Sequence, residues 1–435
     1  MKPANNNKDK PVVGGSNRRQ FLKTSAVLGG LAASQWAVAQ QAQVAGSDLL
    51  RVGLVGCGGR GTGAAAQALK ADRNVKLVAM GDAFSDRLQS SLATLRRDEA
   101  LADKIDVSAE RCFVGFDAYR QVIAAVDVVL LCTPPHFRPA HIRAAVEANK
   151  HVFAEKPVAV DAPGVRSVLA SCTEARKRNL SVVSGLCLRY SNAYCEMMRR
   201  LHDGAIGEVL ALQADDLRGT IWRRDREKGW SDMEWQMRNW YYFTWLSGDF
   251  NVEQHVHNLD VCAWAMGNRY PDKCFGLGGR QVRVGTEYGN IYDHFSVTYE
   301  YANGARIYSN TRQQAHCKND IAVAALGTRG KALISERLQS ITGPKPWQLR
   351  KDNDFYQTEH DELFAAIRSG RPINNGEYMC KSTLLAIMAR MAAYTGQQIT
   401  WDMALNSKED LSPARYEWGR LPMPAVAMPG VTRFV

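Results

Sequence analysis

Gly56-Cys57-Gly58-Gly59-Arg60-Gly61 follows directly on the apolar run 50–55 and leads into an alanine-rich stretch from Gly63 to Lys70. A G-x-G-x-x-G between a strand and a helix has a physical purpose. Gly56 allows the tight turn, Gly58 lets a dinucleotide pyrophosphate approach the backbone, and Gly61 lets strand and helix pack closely. The anion then meets free N–H groups at the helix N-terminus, with Gly59 and Arg60 beside it. A second apolar run, 75–80, ends at Gly81-Asp82. A carboxylate there accepts hydrogen bonds from ribose hydroxyls and repels a 2′-phosphate, which favours NAD over NADP. The same position suits a helix N-cap, and nearby Arg87 offers a cation to a 2′-phosphate.

Further polar groups close the next apolar runs. Thr133-Pro134-Pro135-His136 follows 126–132, and Glu155-Lys156-Pro157 follows 151–154. Strands alternating with helices predict a parallel sheet whose ligand lies outside the carboxyl ends of its strands. Asp82, Thr133, Pro134, His136, Glu155 and Lys156 all fall at such ends. Downstream, Glu253, His257 and Asp260 stand at i, i+4 and i+7, one face of a helix, with His255 pointing elsewhere. A lysine and a histidine near a carboxylate can move a proton and stabilise an oxyanion. The plainer alternatives are a surface salt bridge for Lys156 and a hydrogen-bonded core histidine for His257. No metal is required and no zinc-like cluster is visible; Glu253 with His255 and His257 is the alternative metal constellation, but a site needs three or four converging ligands and His255 points elsewhere.

The elements that position these residues come from a chain of 435 residues, with 46% hydrophobic and 23% charged residues, ordinary for a globular enzyme of two or three domains. Net charge is +11. The first 39 residues hold six basic side chains and one acidic, and the remaining 49 basic and 43 acidic are spread evenly. No basic run is interleaved with aromatics, so no nucleic-acid partner is expected. None of the ten cysteines forms a C-x-x-C pair, and several sit in apolar runs as small buried hydrophobes. From about Gly207 the pattern shifts to strands, with hairpin signals at Asn303-Gly304 and around Gly327–Gly330. Between Trp222 and Trp245 lie Trp230, Trp235, Trp240, Tyr241 and Tyr242, suited to stacking on sugar rings, to a subunit interface, or to core packing. A late helix near Glu359–Leu363 is expected to return to the first domain.

The N-terminus reads as an export signal. Asn17-Arg18-Arg19-Gln20-Phe21-Leu22-Lys23 has a twin-arginine form, a short apolar stretch follows, and Ala37-Val38-Ala39 is a cleavage pattern. The stretch is far shorter than the ~20 residues of a membrane-spanning helix. Export by the twin-arginine machinery to the periplasm or beyond is expected, with residues 1–39 as the signal peptide. That route carries folded cargo, often with a cofactor already loaded, and fits cysteines without disulfides.

From Leu50 to about Trp401 the chain resembles the Gfo/Idh/MocA oxidoreductases. The likeness rests on the glycine loop, the Thr133-Pro134 turn, Glu155-Lys156-Pro157 and the acid-x-x-x-His element Glu253–His257. Three departures stand out: Glu253 where the family has Asp, and Pro135 and Arg138 where members often carry Asn and His. His136 then either lines the nicotinamide pocket or caps the next helix. Ser184–Tyr190 is similar to a family strand whose Arg, here Arg189, faces the active site or forms a structural salt bridge. The resemblance implies an α/β protein: a Rossmann NAD-binding domain over 48–180 and a C-terminal α+β domain over 181–435. The latter carries an open, mostly antiparallel sheet for substrate binding and oligomerisation. It further implies oxidation of a secondary hydroxyl on a sugar or glycoside, with tightly bound NAD. Lys156, His257 and Glu253 are the catalytic candidates; Arg189, Trp240, Tyr242 and His255 are the substrate-contacting candidates. His257, titrating near neutrality, would act as general base. The rival activity is glycosidic cleavage through transient oxidation; an inactive carbohydrate sensor is the third reading.

Overall fold

The computed structural model describes residues 48–435; the twin-arginine segment and its cleavage pattern lie outside them. Six parallel strands form the first sheet in the order β3-β2-β1-β4-β5-β6. They are β1 (Leu50–Val55), β2 (Val75–Asp82), β3 (Cys112–Val114), β4 (Val128–Leu131), β5 (His151–Ala154) and β6 (Val182–Ser184). The strand expected over 126–132 is thus the fourth. The sequence reading missed β3, whose three partly exposed residues carry too weak an apolar signal. β6 lies past the expected boundary at 180. β4 is buried along its whole length, as helices on both faces of a parallel sheet require.

The second sheet has nine strands, ordered β14-β13-β12-β11-β7-β10-β9-β8-β15. They are β7 (Val209–Arg218), β8 (Lys273–Gly279), β9 (His294–Glu300), β10 (Arg306–Gln313), β11 (Asp320–Gly327), β12 (Lys331–Ile334), β13 (Gln339–Thr342), β14 (Trp347–Leu349) and β15 (Ile399–Thr400). Only β7 and β10 pair parallel. Both expected hairpins are present, β9–β10 and β11–β12. In β10 exposed or half-buried residues alternate with buried ones, so one face of the sheet is covered and the other open. The covered face meets the helices Val256–Ala265 and Gly376–Thr395, the latter buried almost throughout.

Two connections position the site. The helix Phe355–Arg368 returns to pack on the glycine-loop helix Gly59–Ala71, where Gln357 Nε2 donates to the Gln67 carbonyl at 3.0 Å. The single helix expected to carry Glu253, His257 and Asp260 is instead two, Phe250–Glu253 and Val256–Ala265. The first begins at Asp249, a non-glycine residue at φ 75 held by donors from the Phe250 and Tyr292 amides and the Tyr394 hydroxyl. Among the described residues no helix is long and apolar enough to cross a membrane.

Candidate active site

A cleft of about 600 Å³ opens at the carboxyl ends of β1, β2, β4 and β5. The backbone of Gly56, at φ 93, passes so close to β4 that a Cβ would lie 2.5 Å from the Thr133 amide nitrogen. Gly58 and Gly59 instead face open space. No side chain caps the helix that starts at Gly59, and no acid lies in its first turn. Its free N–H groups are therefore available to a pyrophosphate. Arg60 lines the cleft but is drawn aside: Nε sits 2.7 Å from Glu155 Oε1 and the guanidinium lies under the Tyr356 ring.

Asp82 lines the same cleft. It accepts the Cys57 N–H at 2.6 Å and the Phe84 N–H at 2.9 Å, tying the glycine loop to β2. Burial raises its pKa, and the two N–H bonds oppose that rise. The helix N-cap next door is Phe84 rather than Asp82. A carboxylate has about four acceptor sites, so two remain for ribose hydroxyls. Gly61, Thr133 and Pro134 line the cleft as well.

At the far end, Lys156 Nζ donates to Glu253 Oε1 at 3.0 Å and to the Glu253 carbonyl at 2.7 Å. His257 lines the cleft beside them, and its Nδ1 is buried without a partner. Its pKa is driven well below the ordinary histidine value, first by burial, then by the charges of Lys156 and Arg218. The expectation of titration near neutrality is corrected: burial and the neighbouring cations disfavour the imidazolium form. Arg218 in turn pairs with buried Asp216 at 2.5 Å.

Several expected site residues lie elsewhere. Arg189 makes a bidentate pair with Asp260, 2.8 Å on both arms, between the Trp264 and Tyr378 rings. Asp260, which also accepts from Ser382, therefore belongs to the core rather than to the face of His257. His255 is fully buried and bonded to Ser309 of β10. Tyr242 is buried, its hydroxyl donating to the Trp222 carbonyl at 3.1 Å. His136 turns from the cleft to the Tyr416 hydroxyl at 2.7 Å, and burial lowers its pKa to about 4. Of the four substrate candidates only Trp240 lines the cleft, with Trp222 beside it.

The sequence reading also missed some lining residues. Arg138 is buried, donates to the Pro157 and Thr133 carbonyls, and reaches the cleft. Its signal was the departure from the family's His at that position. Phe84, Arg87, Phe116, Arg224 and Arg238 surround the Asp82 end; of these the sequence points only to Arg87, because the others join the wall through contacts between distant segments. Among the described residues no group of three His, Cys, Asp or Glu is placed to hold a metal.

Residues 50–184 match an oxidoreductase family with an NAD-binding Rossmann fold, and residues 194–333 match its C-terminal domain. The chain belongs to the Gfo/Idh/MocA family. It is 23% identical over 320 residues to inositol 2-dehydrogenase of Rhizobium meliloti, covering 73% of this chain and 86% of that protein. It is 25% identical over 179 residues to 2,7-anhydro-N-acetylneuraminate hydratase of Escherichia coli, covering 41% of this chain and 44% of that protein, under half its length. The fold is similar to that of scyllo-inositol dehydrogenase from Lactobacillus casei solved with NAD(H) and scyllo-inositol. There the TM-score is 0.62 at 17% identity, over 82% of this chain and all of the other. For this Gfo/Idh/MocA member the open glycines, the uncapped helix and the doubly anchored Asp82 fit a dinucleotide.

Proposed function

We propose that the protein oxidises a secondary hydroxyl of a sugar or glycoside, with NAD held tightly in the cleft. The observation that carries this reading is the Lys156–Glu253 pair beside neutral His257, at the end of β5 and across from the glycine loop. NAD, when bound, supplies the hydride acceptor. The glycine loop, with Gly56 and Gly61 closely packed and Gly58 and Gly59 open, would hold its pyrophosphate, and Asp82 its ribose. Lys156 gives two N–H groups to Glu253, leaving the third for the substrate oxygen. Its positive charge stabilises the developing alkoxide. His257 takes the hydroxyl proton; burial and the adjacent ammonium keep it unprotonated beforehand. Trp222 and Trp240 offer apolar faces to a sugar ring.

Incubation of the purified protein with methyl glycosides, followed by mass analysis, tests this. A keto-sugar is the expected product. Free sugar would assign the chemistry to glycosidic cleavage, and no change would leave a sensor. We further propose export by the twin-arginine route and self-assembly through the open sheet face. Phe275 and Tyr308 flank Thr298 on that face, with Leu277 63% exposed. Sedimentation of Leu277→Asp would show a smaller species than the wild type; an unchanged mass would remove this interface.

A further inference from the structure

After the short helix Trp401–Asn406 the chain has no helix or strand, yet it is fastened throughout. The fully buried Arg390 pairs with Glu409, and the Leu411 amide donates to Asp161. The Tyr292 hydroxyl donates to the Ala427 carbonyl, and the Ser407 hydroxyl to the Val435 carbonyl. Such a run without secondary structure needs another reason to be ordered.

Its middle packs against side chains of the cleft wall from outside the cleft lining. On one side the Tyr416 hydroxyl meets His136 Nε2 at 2.7 Å. The Trp418 ring packs 4.6 Å from Phe116 and 5.2 Å from Phe84, centroid to centroid. Both phenylalanines line the cleft at the Asp82 end. On the other side the Gly419 carbonyl accepts the Met233 N–H at 3.1 Å, and Leu421 exchanges bonds with Asp232 and Gln236. Those residues belong to the helix Asp232–Arg238, whose Met237 and Arg238 form the facing wall. A six-residue span thus adds a second tie between the two walls, which Arg238 already joins by pairing with Asp86 and covering the Phe84 ring. Trp418 remains 46% exposed, so a core-filling role does not account for it.

We propose that this segment is a clasp on the adenosine end of the cleft and that Trp418 and Tyr416 set the residence time of the dinucleotide. They are positioning residues: Trp418 acts through Phe84 and Phe116, and Tyr416 anchors the segment on His136, outside the cleft lining. The proposal rests on the cofactor reading above. Release of a dinucleotide needs the walls to part, and parting them breaks both aromatic contacts and the hydroxyl–imidazole bond. The opening that lets NAD leave is therefore the step the clasp slows.

The test is the dissociation rate of NADH from the full-length protein, followed by its fluorescence during a chase with excess NAD. Trp418→Ala should release NADH faster by about tenfold or more, the equivalent of losing two aromatic pairs. Trp418→Phe should restore most of the slow release, and Tyr416→Phe, which deletes one hydroxyl, should quicken it by a few-fold. Melting temperatures taken alongside separate a lost clasp from a lost fold. Release within twofold of wild type in Trp418→Ala and in Tyr416→Phe overturns the proposal. So does a rise in rate that Trp418→Phe fails to reverse. A wild type that binds no NADH at all overturns the cofactor reading instead, a distinct result.

Discussion

Lys156 and Glu253 stand 97 residues apart in the chain and 3.0 Å apart in the fold. The contact crosses from the first sheet to the second domain, so the ammonium is held in place only when the two halves meet. Glu253 reaches the ammonium with its carboxylate and with its own carbonyl, which fixes Nζ at two points.

Lys156→Ala should keep the fold and most cofactor affinity, since the glycine loop and Asp82 lie at the other end of the cleft. It should lower turnover by roughly two to four orders of magnitude, as should His257→Ala. The double variant should be little worse than either single one, because groups acting as a unit are not additive. Stopped-flow reduction of bound NAD by a panel of glycosides measures this; near-normal rates in both single variants would remove the assignment.

Stability should fall as pH drops from 7 to 5. His136 is held at about 4, His141, His255 and His360 at about 3, and His257 well below its usual value, all chiefly by burial. Below the unfolded value near 6.5 the unfolded chain binds protons that the folded chain refuses. Each such histidine then withdraws about 1 kcal/mol per pH unit. Asp249, raised to about 6, opposes this for one proton. Denaturant melts at several pH values check the slope; a flat profile over this window contradicts the buried neutral histidines.

Asp82→Ala should weaken NAD and narrow the gap to NADP, because it removes both the ribose acceptor and the charge facing a 2′-phosphate. Titrations of both cofactors report it. Tighter wild-type binding of NADP would refute the reading and shift weight to Arg87 and Arg224.

Arg189→Met should cost stability rather than activity. It leaves Asp260 buried with only Ser382 as a neutral donor, and breaking a buried pair typically costs about 3–5 kcal/mol. A raised KM at an unchanged melting temperature would return Arg189 to the substrate site.

Replacing Arg18 and Arg19 by Lys should strand the protein in the cytoplasm, and the exported form should begin at about Gln40. Fractionation and N-terminal sequencing decide both; normal export of the lysine variant removes the claim.

The amino-acid sequence determined the glycine loop, Asp82, the strand-end Lys156 and the pairing of an acid with His257, because each signal is local. A turn needs glycine within a few residues, and apolar runs announce buried parallel strands. The family likeness and both hairpins follow from the same short-range patterns. Tertiary structure alone decided which polar side chains face the cleft. Arg189 and His136 sit next to site motifs, yet Asp260 and Tyr416 turn them away, and Arg138 takes a place in the cleft wall while His136 does not. A helix read as continuous breaks after Glu253, so the face it shares with His257 does not extend to Asp260. The low pKa of His257 likewise depends on burial and on two cations distant in sequence, Lys156 and Arg218. Such choices are made by partners distant in sequence, and a pattern of spacings carries no record of them.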